Sequence, residues 1–333
     1  MLIIKYEVIK DLASEAIRDF EIPEEEKNIN GIELKRVFVD EENSSRIGKK
    51  PGVYYTLDTR AIETHDNDDI VNCENVLANV IKEVMEFENI KNEDKGLIVG
   101  LGNINVTPDS LGPLVVDNVI VTRHMFMINP SKVSPGIREV SALAPGVMGT
   151  TGIETFDIIE AVKNKIDVDY MIVVDALASR SIDRVNKTIQ VTNTGISPGS
   201  GVGNRRKELS RETIGIPVIA IGVPTVVDAV TITSDTIDII MKYMNNLHRN
   251  KTEEIDLENT PRPNKEYREE LFGNVGALSE EEKRQLIDEI LTPTGFNMMV
   301  TPKEVDLDIS DLTQIISKAI DQALHPIVGQ YEA

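Results

Sequence analysis

The sequence predicts an α/β fold class: three layers, α/β/α, around an open and mostly parallel sheet, with a smaller strand-containing elaboration and C-terminal helices. Two observations predict it. Short uncharged apolar runs at residues 97–101, 170–174 and 217–221 have the length and composition of strands buried on both faces. Residues 113–126, 153–165 and 226–247, which fall between and after those runs, space their apolar positions as helices do. Strands alternating with helices imply parallel crossovers that cover both faces of one sheet.

The remaining elements follow in chain order. The segment at residues 11–16 fits an amphipathic N-terminal helix. Residues 33–38 and 54–57 read as strands of a smaller antiparallel piece, and residues 73–88 as a helix. Residues 138–143 read as another strand. Residues 245–265 are polar and carry Asn-Asn, Thr-Glu-Glu and Pro-Arg-Pro, the composition of an exposed excursion. Residues 280–291 and 311–324 read as helices. The expected organisation is one α/β domain over residues 12–333, with its core at 96–247 and the excursion at about 245–275.

Composition narrows the function. The 333 residues hold 35 Lys+Arg against 56 Asp+Glu, a net charge of -21. Such a balance repels phosphate, so direct nucleic-acid binding and anionic membranes are not expected. Cys73 is the single cysteine, which excludes an internal disulfide framework and fits a reducing cytoplasm. With no Trp, 7 Phe and 7 Tyr, the core must be aliphatic. Lys5, Glu7, Lys10 and Asp11 interrupt the first residues, unlike a signal peptide, and no apolar run is long enough to span a bilayer.

The charge is uneven. Residues 96–240 hold 12 Lys+Arg and 15 Asp+Glu, a net of -3, so the remaining residues carry -18. The same central stretch has 14 of the 21 glycines. Glycine turns bring backbone close to ligands, so the centre is where chemistry is expected.

Asp109 and Asp175 are the leading candidates. Asp109 lies in the loop after the first buried strand, and Asp175 closes the second, where open parallel sheets bind ligands. Two neighbouring carboxylates can share a proton and activate water, or they can hold a divalent metal. The structural alternatives are a helix cap for Asp109 and a loop-backbone acceptor for Asp175.

Other motifs are weaker. Gly195-Ile196-Ser197-Pro198-Gly199 spells a nucleophile elbow, but Pro198 has no N–H to donate to an oxyanion. A glycine-rich loop continuing through Ser200, Gly201, Val202 and Gly203 is the better reading. Gly100-Leu101-Gly102 lacks the third glycine of a dinucleotide fingerprint, because Asn105 stands there. His124 reads as a capping or surface histidine, with metal ligation as the alternative. Arg205-Arg206-Lys207 is a basic cluster that either opens a helix or grips acidic side chains. Asp228 and Asp235 share a helix face, with Asp228 placed to complement the helix dipole.

Together these segments resemble the germination protease family of endospore-forming bacteria. The matching runs include 99–113, 121–124, 141–155, 175–181, 199–204 and 215–230, with 46–52 and 300–306 extending the match into both arms. The resemblance implies an endopeptidase that degrades small acid-soluble spore proteins in the cytoplasm of the forespore and spore core. It carries the family's catalytic aspartates onto Asp109 and Asp175, and places Gly199, Ser200, Gly201, Gly203 and Arg205 along the substrate cleft. It implies a homotetramer, and a zymogen that removes residues 1–11 by cutting between Asp11 and Leu12. No cofactor is required by the resemblance. The family is similar to the peptidases that mature nickel hydrogenases, which keeps a metal at Asp109 and Asp175 as an alternative, as it does a metal-dependent maturation-type peptidase. A non-catalytic spore binding protein is the third reading. Ser197 departs from the family pattern, where histidine is common.

Overall fold

A computed structural model describes residues 23–59, 61–197, 207–250, 263–291 and 298–325 of the chain, the side chains of 248–250 excepted. The described elements form two compact units. The larger takes in residues 23–179, 183–226 and 301–325, and the smaller takes in 180–182 and 227–300.

The strands are β1 (Glu24–Ile29), β2 (Ile32–Val39), β3 (Gly52–Asp58), β4 (Gly96–Gly100), β5 (Val140–Leu143), β6 (Tyr170–Ser179), β7 (Thr188–Thr192), β8 (Val218–Asp228) and β9 (Met299–Val300). They make one sheet in the order β1-β2-β3-β7-β8-β6-β4-β5, with β9 on β8. β4 pairs in parallel with both β5 and β6, which gives the α/β core its parallel part. The first strands do not form a separate piece. β3 pairs antiparallel with β7, so they extend the same sheet.

The apolar runs form strands because both sheet faces are covered. In β4 and β6, Ile98, Ile172 and Val174 face one core, while Leu97, Val99, Met171 and Val173 face the other. The first core is closed by α1 (Asn67–Phe87), α2 (Leu111–Asn118) and the C-terminal helix Val305–Leu324. The second core takes Phe156 and Ile159 from the helix Thr155–Ile166, together with Leu209 and Ile214. Each fully buried aliphatic side chain contributes roughly 1.5–3 kcal/mol, and alternation fixes which face it serves. Cys73 is buried in the first core, and burial pushes its thiol up to about 12, so it acts as a small apolar residue.

Two expectations shift in detail. Residues 113–126 are not one helix: α2 ends at Asn118 and α3 (Arg123–Ile128) begins after a break, where Thr122 accepts the Val140 N–H and donates to the Arg138 carbonyl. Next in order come α4 (Met148–Thr151), α5 (Thr155–Ile166) and α6 (Arg211–Ile214). β8 runs from Val218 to Asp228, so Val223 to Val227 are strand and α7 (Ala229–Asn250) begins later than residue 226. They are followed by α8 (Lys265–Phe272), α9 (Glu280–Leu291) and α10 (Val305–Leu324). No helix among the described residues is long and apolar enough to cross a membrane.

Candidate active site

Both candidate aspartates lie in the larger unit, at the carboxyl end of its parallel strands. Val174 of β6 pairs with Gly100, the last residue of β4. Asp175 follows at once, so it stands level with the rim of β4. The sequence reading ends the strand at Asp175, whereas β6 continues to Ser179. Asp175 is thus a strand residue with only 5% of its surface exposed. Its Oδ1 accepts the Ala176 N–H at 3.0 Å.

Asp109 closes the loop that leaves β4. The Asn103 N–H donates to both the Asp109 carbonyl, at 3.0 Å, and its Oδ2, at 2.9 Å. Within that ring the Val106 N–H donates to the Asn103 carbonyl at 3.0 Å, and the Asp109 N–H to the Val106 carbonyl at 2.8 Å. Two consecutive turns result, ending in a 3-10 turn at Thr107–Asp109 with Pro108 near its start. Gly102 makes the closure feasible. Its φ is +117°, and a Cβ there would lie 2.0 Å from the Asp109 carbonyl oxygen.

Backbone contact joins this loop to the strand that carries Asp175. The Leu101 N–H donates to the Val174 carbonyl at 2.8 Å. A Cβ on Gly112 would lie 2.3 Å from the Leu101 oxygen and 2.7 Å from the Val174 oxygen. The start of α2 therefore rests on the ends of β4 and β6 with no room for a side chain. The third glycine that the dinucleotide pattern lacks is replaced, in effect, by Gly112, which serves helix-on-strand packing. From the other side, Thr225 of β8 donates its hydroxyl to the Pro108 carbonyl at 2.6 Å. Sequence reasoning gave Thr225 no role, and a threonine inside a strand carries no signal for one.

The other candidates take structural positions. Asp228 caps α7, accepting the Thr231 N–H at 2.7 Å and the Thr231 hydroxyl at 2.6 Å. Asp235 pairs with Arg284 at 3.5 Å, and burial raises its pKa. His124 is exposed on α3. Gly195 has φ +84° where the chain forms the Ile196–Leu209 bridge, and Lys207 lies over the Phe156 ring at 3.5 Å. Lys50 meets Glu208 at 2.9 Å and Glu212 at 2.8 Å, and the Lys50 bond holds the Glu212 carboxyl down at about 2. Gly199, Ser200, Gly201, Gly203 and Arg205, and the expected cleavage position at Asp11 and Leu12, lie outside the described residues. Among the described residues, no three His, Cys, Asp or Glu side chains gather as a metal site.

Comparison with known proteins bears on the family of the chain. Residues 3–333 match the family model described as "Germination protease". The germination protease of Geobacillus sp. (strain WCH70) is 49% identical over 321 residues, covering 92% of this chain and 86% of its own length. That of Bacillus cereus (strain G9842) is 49% identical over 351 residues, covering 98% and 96%. That of Bacillus licheniformis is 48% identical over 341 residues, covering 96% and 92%. A solved [NiFe] hydrogenase maturation protease HycI from Thermococcus kodakarensis KOD1 aligns with 44% of this chain and 80% of its own, at 15% identity and a TM-score of 0.27, too low to establish a shared fold.

Proposed function

The chain belongs to the germination protease family, and on that premise we propose that Asp109 and Asp175 together activate the water with which this endopeptidase hydrolyses small acid-soluble spore proteins. The observation that carries the reading is the seating of the Asp109 loop. Gly112 lets the loop's exit pack on Leu101 and Val174, one residue from Asp175, while Asn103 orients the Asp109 carboxylate.

In the proposed reaction one carboxylate takes a proton from water as the water oxygen bonds to the scissile carbonyl carbon. The other carboxyl group gives its proton to the carbonyl oxygen. Collapse of the tetrahedral intermediate breaks the C–N bond: the first group returns its proton to the leaving nitrogen, while one of the two hydroxyls gives its proton back to the second carboxylate as the new C=O forms. Two carboxylates are a sparse donor set for a divalent ion, so the pair is proposed to act without one. The remaining expectations belong to the same proposal: substrate contact by Gly199, Ser200, Gly201, Gly203 and Arg205; self-cleavage between Asp11 and Leu12; a homotetramer; and action in the forespore and spore core without direct contact to nucleic acid.

The test is Asp109→Asn and Asp175→Asn in the full chain, read by mass spectrometry of the N-terminus and by cleavage of a purified spore protein. Each variant is expected to lose about 10²–10⁴-fold in rate. Either variant retaining both activities would overturn the assignment. Wild-type activity is expected to survive dialysis against a chelator, and loss restored by a divalent ion would make the carboxylates metal ligands instead.

A further inference from the structure

Asn186, two residues before β7, concentrates three unfavourable features in one side chain and its backbone. It is 1% exposed. Its φ is +62°, in the left-handed region that asparagine tolerates and most other side chains do not. Its Oδ1 is buried with no hydrogen-bond donor among the described residues. A fold keeps such features where its surroundings over-determine them, and they cluster where backbone geometry serves function.

The contacts of Asn186 lead to the Asp109 loop. Its Nδ2 donates to Asp308 Oδ2 on α10 at 2.7 Å. A carboxylate accepts and does not donate, so this bond fixes which way the amide faces. The Asn186 N–H donates to the Pro224 carbonyl at 2.7 Å. Along β8, pairing with β7 covers Ala220–Gly222 and pairing with β9 begins at Val227, so Pro224 and Thr225 fall between the two. There the Thr301 hydroxyl donates to the Thr225 carbonyl at 2.9 Å. The Pro224 and Thr225 carbonyls belong to the two peptide planes that flank the Thr225 Cα, so both planes are held. A β-branched side chain has few χ1 choices, and its direction follows its backbone. The Thr225 hydroxyl is thereby aimed at the Pro108 carbonyl, which it reaches at 2.6 Å, one residue before Asp109.

We propose that Asn186 and Thr301 are positioning residues for the proteolytic reaction: they fix the two peptide planes around Thr225, whose hydroxyl holds the Asp109 loop, and Asp308 serves by fixing Asn186. The inference rests on the reading of Asp109 as catalytic. Every link in it is a hydrogen bond within the larger unit, running from α10 through Asn186 and β8 to the Asp109 loop. Positioning of this kind acts on the geometry of attack, so its loss lowers kcat and leaves KM nearly unchanged.

The experiment uses full-length Asn186→Gly, Thr301→Val, Asp308→Ala and Asp308→Asn, with folding checked by circular dichroism and thermal melting. Asn186→Gly keeps the positive φ and the backbone N–H and removes only the side chain. Asn186→Gly, Thr301→Val and Asp308→Ala are each expected to lower kcat on a spore protein about 5–10-fold, with KM within about twofold. Asp308→Asn keeps an acceptor for the Asn186 amide and is expected to restore most of the Asp308→Ala loss. Asn186→Gly made in Thr225→Val should cost less than about a further twofold in kcat, because both act through one hydroxyl. Fully additive losses would overturn the proposal, as would an Asp308→Asn variant no better than Asp308→Ala. Amide hydrogen exchange over residues 101–112 reads the loop without any turnover, and it is expected to quicken in Asn186→Gly. Unchanged exchange with unchanged kcat would also overturn the proposal. Quickened exchange with unchanged kcat would instead sink the Asp109 reading, and with it the effect on the reaction, while leaving the path from Asn186 to the loop standing.

Discussion

Thr225 on β8 holds Pro108 on the Asp109 loop by a 2.6 Å bond from its hydroxyl to the proline carbonyl, although the two residues are 117 positions apart in the chain. Thr225 is buried, with 1% exposure, so water cannot replace the bond if it is lost. Thr225→Val keeps the shape and removes the donor. Stability is expected to fall by about 1 kcal/mol. If the bond positions Asp109, kcat should fall about tenfold with KM little changed, and Thr225→Ser should restore most of it. A kcat equal to wild type would show that the loop holds its place without this bond.

Gly112 is another tight point of the same assembly. Its Cβ would meet three backbone atoms: the Leu101 oxygen at 2.3 Å, the Leu101 nitrogen at 2.6 Å and the Val174 oxygen at 2.7 Å. Backbone cannot rotate aside, so Gly112→Ala must push the start of α2 off the ends of β4 and β6. A loss of about 1–3 kcal/mol is expected, with a larger effect on activity than on folding. Gly149→Ala is the control, since nothing lies within 4 Å of a Cβ there. Equal melting temperatures and activities for the two variants would refute the packing argument.

Much of this site is legible in the sequence because strands buried on both faces announce themselves. Residues 97–101 and 170–174 are uncharged apolar runs, and ligands gather beyond the carboxyl ends of such strands. That logic singles out Asp109 and Asp175 as candidates without any relative for comparison. It does not find Thr225 or the extension of β6 to Ser179 and β8 to Asp228. Those strand ends contain Ala, Ser, Pro and Thr, and they are strand because neighbouring chain segments supply hydrogen bonds that no local pattern records. Similarly, residues 113–126 read as one helix because Val119 to Thr122 continue the apolar spacing. The break is decided by distant partners: Ile120 donates to Asp321 at 2.8 Å, and Thr122 bonds the β5 segment. Local periodicity sees the strand cores and the helix faces, whereas long-range bonds set their ends.

His325 makes stability depend on pH. It is fully buried at the end of α10, where its Nδ1 accepts the Arg138 N–H at 3.3 Å and its Nε2–H donates to the Ile120 carbonyl at 3.4 Å. Burial is the main cause that lowers its pKa below the usual 6.5; the Arg138 charge acts in the same direction, against the Ile120 bond. As pH falls below about 6.5 the unfolded chain takes up this proton before the folded one does. The stability present above that pH is therefore lost progressively as pH drops through the folded-state value. Urea unfolding between pH 8 and pH 5 should show this slope in wild type, reduced in His325→Gln, whose amide can still donate and accept but cannot titrate. Parallel pH profiles for the two proteins would rule His325 out as its source.

In the smaller unit, Lys283 is 3% exposed and pairs with Asp238 at 2.6 Å and with Glu280 at 3.0 Å, fastening α9 to α7. A buried ion pair need not add net stability, but leaving one member alone exposes the full cost of its burial. Lys283→Met removes the cation that faces the Asp238 carboxylate, whose side chain is only 13% exposed. A loss of about 3 kcal/mol is expected for that single change. Asp238→Leu added to Lys283→Met replaces both charges by apolar groups and should recover most of the loss. The double-variant cycle, measured by urea unfolding, thus separates two accounts that a single variant confuses. Recovery means that α7 and α9 are held chiefly by apolar packing and that the pair specifies their register. Additive losses mean that the charge pair itself stabilises the contact.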